Sequence, residues 1–322
     1  MSQSIFAPKK KKEQVLHLLA MELRKVFQTE HYDFEKLQEI RMRAGSPLLV
    51  VYQGDEYLVT ESGQFRKDVR KKVLVTAEHI RESLEYISNY SMYAFEEEIR
   101  QGYLTVTGGH RVGLAGKVIW ERGEVRSIRS ISFLNIRLAH EVIGCADTAL
   151  SFLYKKGELC NTLIISPPGC GKTTLLRDIV RQVSDGNRMH AGMTVGVVDE
   201  RSEIGACYKG EPQNNLGCRT DVLDGCPKSE GMIMLVRSMA PGAIAVDEIG
   251  TTADIKAMKY IMNSGVRLLA TVHGASIEEI RKKPVLGELI KDEAFERYIL
   301  LEAGKTGKIS GFFDKHGREI CL

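Results

Sequence analysis

One segment restricts the fold of this chain more than any other. Residues 166–174 read Ser-Pro-Pro-Gly-Cys-Gly-Lys-Thr-Thr, directly after the apolar run Asn161-Thr-Leu-Ile-Ile165 and directly before an amphipathic stretch from Leu175. The pattern predicts a strand, a glycine-rich turn and a helix. Gly169 and Gly171 let the backbone curl so that successive N–H groups face an anion. The helix start adds a partial positive charge at the same place. Lys172 supplies a point charge for the outer phosphates, and the Thr173 hydroxyl suits Mg²⁺. Ser166, Pro167, Pro168, Gly169, Cys170, Gly171, Lys172, Thr173 and Thr174 are therefore the expected cradle for a nucleoside triphosphate and its Mg²⁺. Ser166 stands where the usual pattern opens with glycine. A glycine turn that binds nothing has no need of Lys172 and Thr173, so packing alone is the weaker reading.

The chain has 322 residues, long enough for two domains and a substantial core. Apolar residues make up 43% and charged residues 27%, the balance of an ordinary globular protein. A net charge of +3 points neither toward nucleic acid nor away from it. No apolar stretch approaches the ~20 residues that span a bilayer. The start, MSQSIFAPKKKKEQ, lacks the apolar centre of a secretion signal, so the expected location is cytoplasmic. The run Lys9 to Lys12 reads as a solvated tail, with weak attraction to an anionic membrane as the alternative. Seven cysteines, with no C-x-x-C pair, read as reduced thiols. Cys207, Cys218 and Cys226 have no common zinc spacing. Cys170 lies inside the glycine loop, so a thiol reagent there is expected to block nucleotide binding.

Two halves of the chain follow different grammars. Residues 13–31 carry apolar positions at helical spacing, and 48–52 and 56–60 read as a hairpin around Gln53-Gly54-Asp55. Thr76 opens a helix through Ile80, Leu84 and Ile87. Another helix covers 91–100, followed by strands at 103–107, 111–120 and 130–138. These make a smaller α+β domain, residues 1–141. In residues 142–322, strands at 161–166, 194–199, 243–247 and 267–272 alternate with helices at 172–184, 230–239, 252–264 and 276–282. That order predicts a mainly parallel sheet with crossover helices, an α/β P-loop core of RecA-like type. The end of the chain reads as strands at 295–301, 308–313 and 318–322, with a turn at Lys315-His316-Gly317.

The strand Ala243-Ile-Ala-Val246 ends in Asp247 and Glu248. Asp247 can hold Mg²⁺ through water, and Glu248 can polarise the attacking water. A second strand ends in Asp199-Glu200-Arg201, with Glu203 just beyond. In open α/β sheets, ligands sit at the carboxyl ends of the strands, so these acids can reach the same water or metal. A further strand delivers His273 to that edge, where it can contact the terminal phosphate. Lys172, Glu200, Glu248 and His273 are the catalytic candidates, and Thr173 and Asp247 the metal ligands. Arg219 and Arg237 are candidates for an arginine supplied to a neighbouring subunit, with surface ion pairing as the alternative for each.

With these residues in hand, the core resembles the secretion-type ATPases of type II and type IV secretion and pilus systems. More narrowly, the chain is similar to the stage III sporulation protein AA family of endospore-forming bacteria. The blocks that carry this are Glu39-Ile-Arg-Met-Arg-Ala-Gly45, Gly108-Gly-His-Arg-Val-Gly-Leu-Ala-Gly-Lys117, Ser132-Phe-Leu-Asn-Ile-Arg137, the glycine loop, and Val198-Asp-Glu-Arg-Ser-Glu-Ile204. The resemblance implies an ATPase that assembles into a ring, a hexamer in the wider superfamily. It implies work in the mother cell with membrane proteins of a channel complex facing the forespore. The protein would then sit peripherally at the membrane through those partners. It also implies that N-terminal basic residues reach the nucleotide site, with Arg111, Arg126, Arg129 and Arg137 as candidates. Secretion ATPases carry Gly-Glu at Asp247-Glu248 and Arg-Asp at Gly250-Thr251, so the general base is open among Glu200, Glu203 and Glu248.

Two other functions fit the core. A RecA-like nucleic-acid motor would use the same site, but no aromatic and basic strand face stands out in the sequence and the charge is near balance, so no nucleic acid is expected. A nucleotide-gated scaffold would have little use for the acids at 199, 200, 203, 247 and 248.

Overall fold

The computed structural model describes residues 8–28, 32–68, 70–121 and 123–320. The end of the expected 13–31 helix, Arg122 of the expected turn, the last two residues of the expected 318–322 strand and the side chains of Lys9 and Lys10 lie outside the described residues. The chain forms two compact units, divided between His140 and Glu141. Among the described residues, no helix is long and apolar enough to cross a membrane.

The first unit opens with α1 (Pro8–His17) and α2 (Met21–Gln28) rather than one helix. Val15, Leu16, Leu18 and Leu19 are all buried around the break. The freed Ala20 N–H donates to Ser83 Oγ at 2.8 Å. Then come β1 (Leu37–Arg43), β2 (Leu49–Tyr52), β3 (Asp55–Val59) and β4 (Phe65–Arg66). The β2–β3 turn places Gln53 and Gly54 at φ 54° and 87°, the geometry whose twist suits a two-residue hairpin. Helix α3 (Ala77–Ile87) starts on a capping box in which Thr76 Oγ1 accepts from His79 N–H and His79 Nδ1 accepts from Thr76 N–H.

A 3₁₀ turn over Met92–Phe95 precedes α4 (Glu96–Gln101), so the expected 91–100 helix is in two pieces. Strands β5 (Tyr103–Val106), β6 (His110–Glu121) and β7 (Glu124–Arg137) complete a seven-stranded sheet ordered β4-β3-β2-β1-β7-β6-β5. β7 begins earlier than the expected 130, because its first half pairs with β6 alone. Gly108 and Gly109 form the β5–β6 turn. His110 is buried, which drives its pKa down to about 3, and its Nδ1 accepts from Ala139 N–H.

The second unit begins with α5 (Asp147–Leu150) and a small hairpin, β8 (Tyr154–Lys155) and β9 (Glu158–Leu159). Then follow β10 (Thr162–Ser166), α6 (Lys172–Asp185), β11 (Val195–Asp199), β12 (Thr220–Asp224), α7 (Lys228–Met239), β13 (Ala243–Val246), α8 (Thr252–Asn263) and β14 (Arg267–His273). Helices α9 (Ile277–Lys282) and α10 (Leu286–Lys291) lead to β15 (Arg297–Leu301) and β16 (Ile309–Asp314). The sheet order is β12-β11-β13-β14-β10-β15-β16, parallel except for the β15–β16 pair. β10, β11 and β13 are buried along their whole length, with an apolar cluster on each face of the sheet. The expected strand over 318–322 is reduced, among described residues, to one bridge between Phe313 and Glu319.

Helix α7 packs closely on β11. A Cβ on Gly231 would lie 2.4 Å from Val198 Cγ1. Gly231→Ala is therefore expected to destabilise the second unit by about 1–3 kcal/mol despite the better helix propensity of alanine. Thermal melting checks this, and an unchanged or raised Tm would contradict it.

Candidate active site

Parallel register sets the site. Ser166 is level with His273, and Val246 with Ala270, so β10, β13 and β14 end on the same edge. The β10–α6 loop turns through Gly169 at φ 74° and Gly171 at φ 88°, both in the left-handed region that glycine tolerates. Leu175 N–H is bonded to Gly171 O at 2.9 Å, as in the first closed turn of a helix. The N–H groups before it are the orphan donors of a helix start and suit an anion. Ser166 replaces the usual glycine and is fully buried, with Oγ donating to Pro167 O at 2.7 Å.

The edge gathers its charged side chains into one cluster. Lys172 Nζ donates to Glu248 Oε1 at 2.7 Å. His273 Nε2 lies 2.8 Å from the same oxygen. A carboxylate only accepts, so Nε2 is the protonated ring nitrogen. Arg201 Nη1 donates to the other oxygen, Oε2, at 3.2 Å. Burial pushes the Glu248 carboxyl up, and the Lys172 ammonium and His273 outweigh it, leaving the group below the usual glutamate value.

Next to this, Thr173 Oγ1 donates to Asp247 Oδ2 at 2.5 Å. Thr271 Oγ1 donates to Asp247 Oδ1 and accepts from Glu248 N–H at 2.9 Å. Glu248 sits at φ 55°, a strained backbone for a glutamate, held there by Thr271. Thr271 is absent from the sequence-derived site. Its signal was one hydroxyl two residues before His273, on a strand that is otherwise core.

Other expected residues lie apart from this cluster. Asp199 is 2% exposed, and its carboxylate accepts from the N–H groups of Glu203, Ile204 and Gly205 at 2.8, 2.9 and 2.7 Å. It ties the loop after β11 and also borders the small pocket that Asp247 and Glu248 line. Glu200 pairs with Lys228 at the surface. Glu200, Glu203, Asp247 and Glu248 nevertheless border one small pocket. Arg219 Nη1 donates to Ser184 O at 3.0 Å, near the C-terminal end of α6, where a guanidinium satisfies orphan carbonyls. Arg237 is exposed in the last turn of α7.

Among the N-terminal arginines, Arg111 stacks on Tyr103 at 3.5 Å, Arg126 pairs with Glu121, Arg137 reaches Glu39 at 3.4 Å and Arg129 lies level with Lys117. Thr251, where secretion ATPases carry a charged residue, caps α8 in a capping box with Asp254. Cys170 is only 4% exposed and packs into the apolar cluster under the sheet, which limits the access of thiol reagents to it.

Residues 9–320 match the family described as sporulation stage III, protein AA. The chain belongs to that family. It is 43% identical over 286 residues to the stage III sporulation protein AA of Bacillus subtilis (strain 168), covering 88% of this chain and 89% of that one. It is also 36% identical over 160 residues to the Arabidopsis thaliana protein SEEDLING PLASTID DEVELOPMENT 1, which is 49% of this chain and 22% of the plant protein. Among solved structures, the fold is similar to the pilus retraction motor PilT, with TM-score 0.57 at 15% identity, covering 93% of this chain and 82% of that one. It is likewise similar to the Legionella pneumophila ATPase DotB, with TM-score 0.53 at 13% identity, covering 93% and 77%. The family thus has the fold of secretion and pilus P-loop ATPases, as its sequence implied.

Burial pushes the Asp199 carboxyl up to about 6, against the pull of its backbone N–H groups and with help from Asp224. A folded-state pKa above the unfolded ~3.9 means that the contribution is full below pH ~4 and is lost as pH rises through about 6. Relative to Asp199→Asn, the wild type is expected to lose on the order of 2 kcal/mol between those limits. Urea unfolding of both proteins across that range measures it. A difference that does not change with pH would contradict the assignment.

Proposed function

We propose that this protein is a Mg²⁺-dependent ATPase whose hydrolysis energises a secretion-like membrane complex between mother cell and forespore. One observation carries the reading: the glycine loop opens onto a single cluster of Lys172, Glu248, His273, Thr173 and Asp247. Outside a phosphate site, a buried lysine, a strained glutamate and a histidine on one oxygen have no evident use.

The chemistry follows from these groups. The N–H groups of the loop and the first turn of α6 bind the phosphates, and Lys172 exchanges the Glu248 carboxylate for phosphate oxygens. That exchange leaves Glu248 free to accept a proton from the attacking water, and removal of the Lys172 contact that held its pKa down makes it the stronger base. His273 stays within reach of both Glu248 and Lys172 and so registers the change. The Thr173 hydroxyl and the Asp247 carboxylate are hard oxygen donors side by side, which suits Mg²⁺. The ion would neutralise phosphate charge there. Glu248 is favoured over Glu200 as the base because Glu200 is held by Lys228 at the surface.

Family membership supports a role in sporulation, and the fold supports a ring, with a hexamer proposed. The proposed place is the cytoplasm, peripheral at the membrane through protein partners, with no nucleic acid required.

Phosphate release by purified protein tests the reading. Lys172→Ala is expected to abolish it. Glu248→Gln is expected to lower turnover about 10²–10³-fold while ATP binding persists, and Glu200→Gln to change it less than about 5-fold. Glu200→Gln as the silent-but-binding variant would move the base to Glu200. Strong stimulation by single-stranded DNA in a parallel series would favour a nucleic-acid motor instead.

The ring is tested separately. Glu248→Gln with Mg²⁺ and ATP is expected to sediment as a hexamer in analytical ultracentrifugation. A monomer at all protein concentrations would contradict it.

A further inference from the structure

The turn between β15 and β16, residues 302–308, reads Glu-Ala-Gly-Lys-Thr-Gly-Lys and rests against the glycine loop. Gly307 N–H donates to Cys170 O at 2.8 Å. The contact is close: a Cβ on Gly171 would lie 3.0 Å from Gly307 N and 3.3 Å from Thr306 Cγ2. The turn is itself braced. Glu302 N–H donates to Lys308 O at 2.8 Å, and the Glu302 carboxylate pairs with Lys305 at 2.5 Å and Lys308 at 2.6 Å. Gly307 sits at φ 74°, where a side chain would be strained.

A trans peptide is planar, so the C=O and the N–H of one peptide unit point in opposite directions. The unit joining Cys170 and Gly171 has its carbonyl turned toward Gly307. Its N–H, that of Gly171, must then point away from the β15–β16 turn. Gly171 has little intrinsic preference for the sign of φ, so its own conformation does not hold this peptide in one orientation. The tie to Gly307 supplies that restraint.

We infer that Gly307 is a positioning residue for phosphate binding: by holding the Cys170 carbonyl outward, it fixes the Gly171 N–H toward the anion. The inference rests on the ATPase reading above. It assigns a part in the site to Gly307, 137 positions after the Cys170 carbonyl it holds.

The test deletes the Gly307 N–H and measures ATP affinity by equilibrium dialysis with Mg²⁺. Replacing the Thr306–Gly307 amide by an ester, in a protein ligated from a synthetic C-terminal segment, removes only that donor. Gly307→Pro also removes it but forces φ from 74° to about −65°, so it reads the N–H and the turn geometry together. Gly307→Ala keeps the N–H and reads the backbone strain alone. The ester and proline forms are expected to bind ATP about 10-fold more weakly, the loss of one hydrogen bond to a charged group. Alanine is expected to bind within about 3-fold of wild type. KM is expected to rise with the binding loss while kcat at saturation changes less than about 3-fold. If the proline form melts lower than wild type, the ester form decides. A wild type that binds ATP while the ester form binds equally well overturns this inference and leaves the ATPase reading intact. A wild type that takes up no ATP overturns both.

Discussion

A lysine ammonium that is only 6% exposed at the edge of an apolar sheet is tolerable only with a partner. Lys172 has one in Glu248, and the rest of the site follows from keeping that pair in place. Glu248 meets Lys172 from a left-handed backbone at φ 55°. That backbone is held because Thr271 accepts its N–H. The same Thr271 hydroxyl donates to Asp247, which in turn receives Thr173. One hydroxyl on a buried strand thus couples the two acids that follow β13 to both polar residues that open α6. Removing either member of a buried pair strands the other charge, so these residues are bound together energetically as well as spatially.

The same pairing makes the site responsive. An ion pair inside a cleft gains from low dielectric but has only one carboxylate to offer the lysine. A triphosphate offers more negative charge and more acceptors at the end of a helix whose first N–H groups lack intrahelical partners. On the proposed function, phosphate would displace Glu248 from Lys172 and so make the carboxylate available when substrate arrives. Arg201 and His273, which also touch Glu248, are placed to limit where the released carboxylate goes.

The sequence made the centre of the second unit readable, because its signals are local. Glycine, lysine and threonine follow one another in a single loop, and three apolar strands end in Asp199-Glu200, Asp247-Glu248 and His273. What the sequence concealed is non-local. β1 lies between β2 and β7, and its alternation of Ile40 and Met42 with Glu39, Arg41 and Arg43 marks a half-buried strand but not which strands it pairs with. β12 is an edge strand of Thr-Asp-Val-Leu-Asp with little apolar content to betray it. The break between α1 and α2 depends on Ser83, far along the chain. The partners of Asp199 are backbone N–H groups of residues 203–205, which no side-chain pattern announces. The β15–β16 turn carried no motif that pointed to the glycine loop.

The central claim is that the Lys172–Glu248 pair is the resting partner of a phosphate site. A crystal structure with Mg²⁺ and a non-hydrolysable ATP analogue tests it most directly. The account predicts the triphosphate against the N–H groups of residues 169–173, Lys172 Nζ moved from Glu248 to a phosphate oxygen, and Mg²⁺ beside Thr173 and Asp247. An analogue bound elsewhere, or a Lys172–Glu248 pair intact beside bound phosphates, would contradict it.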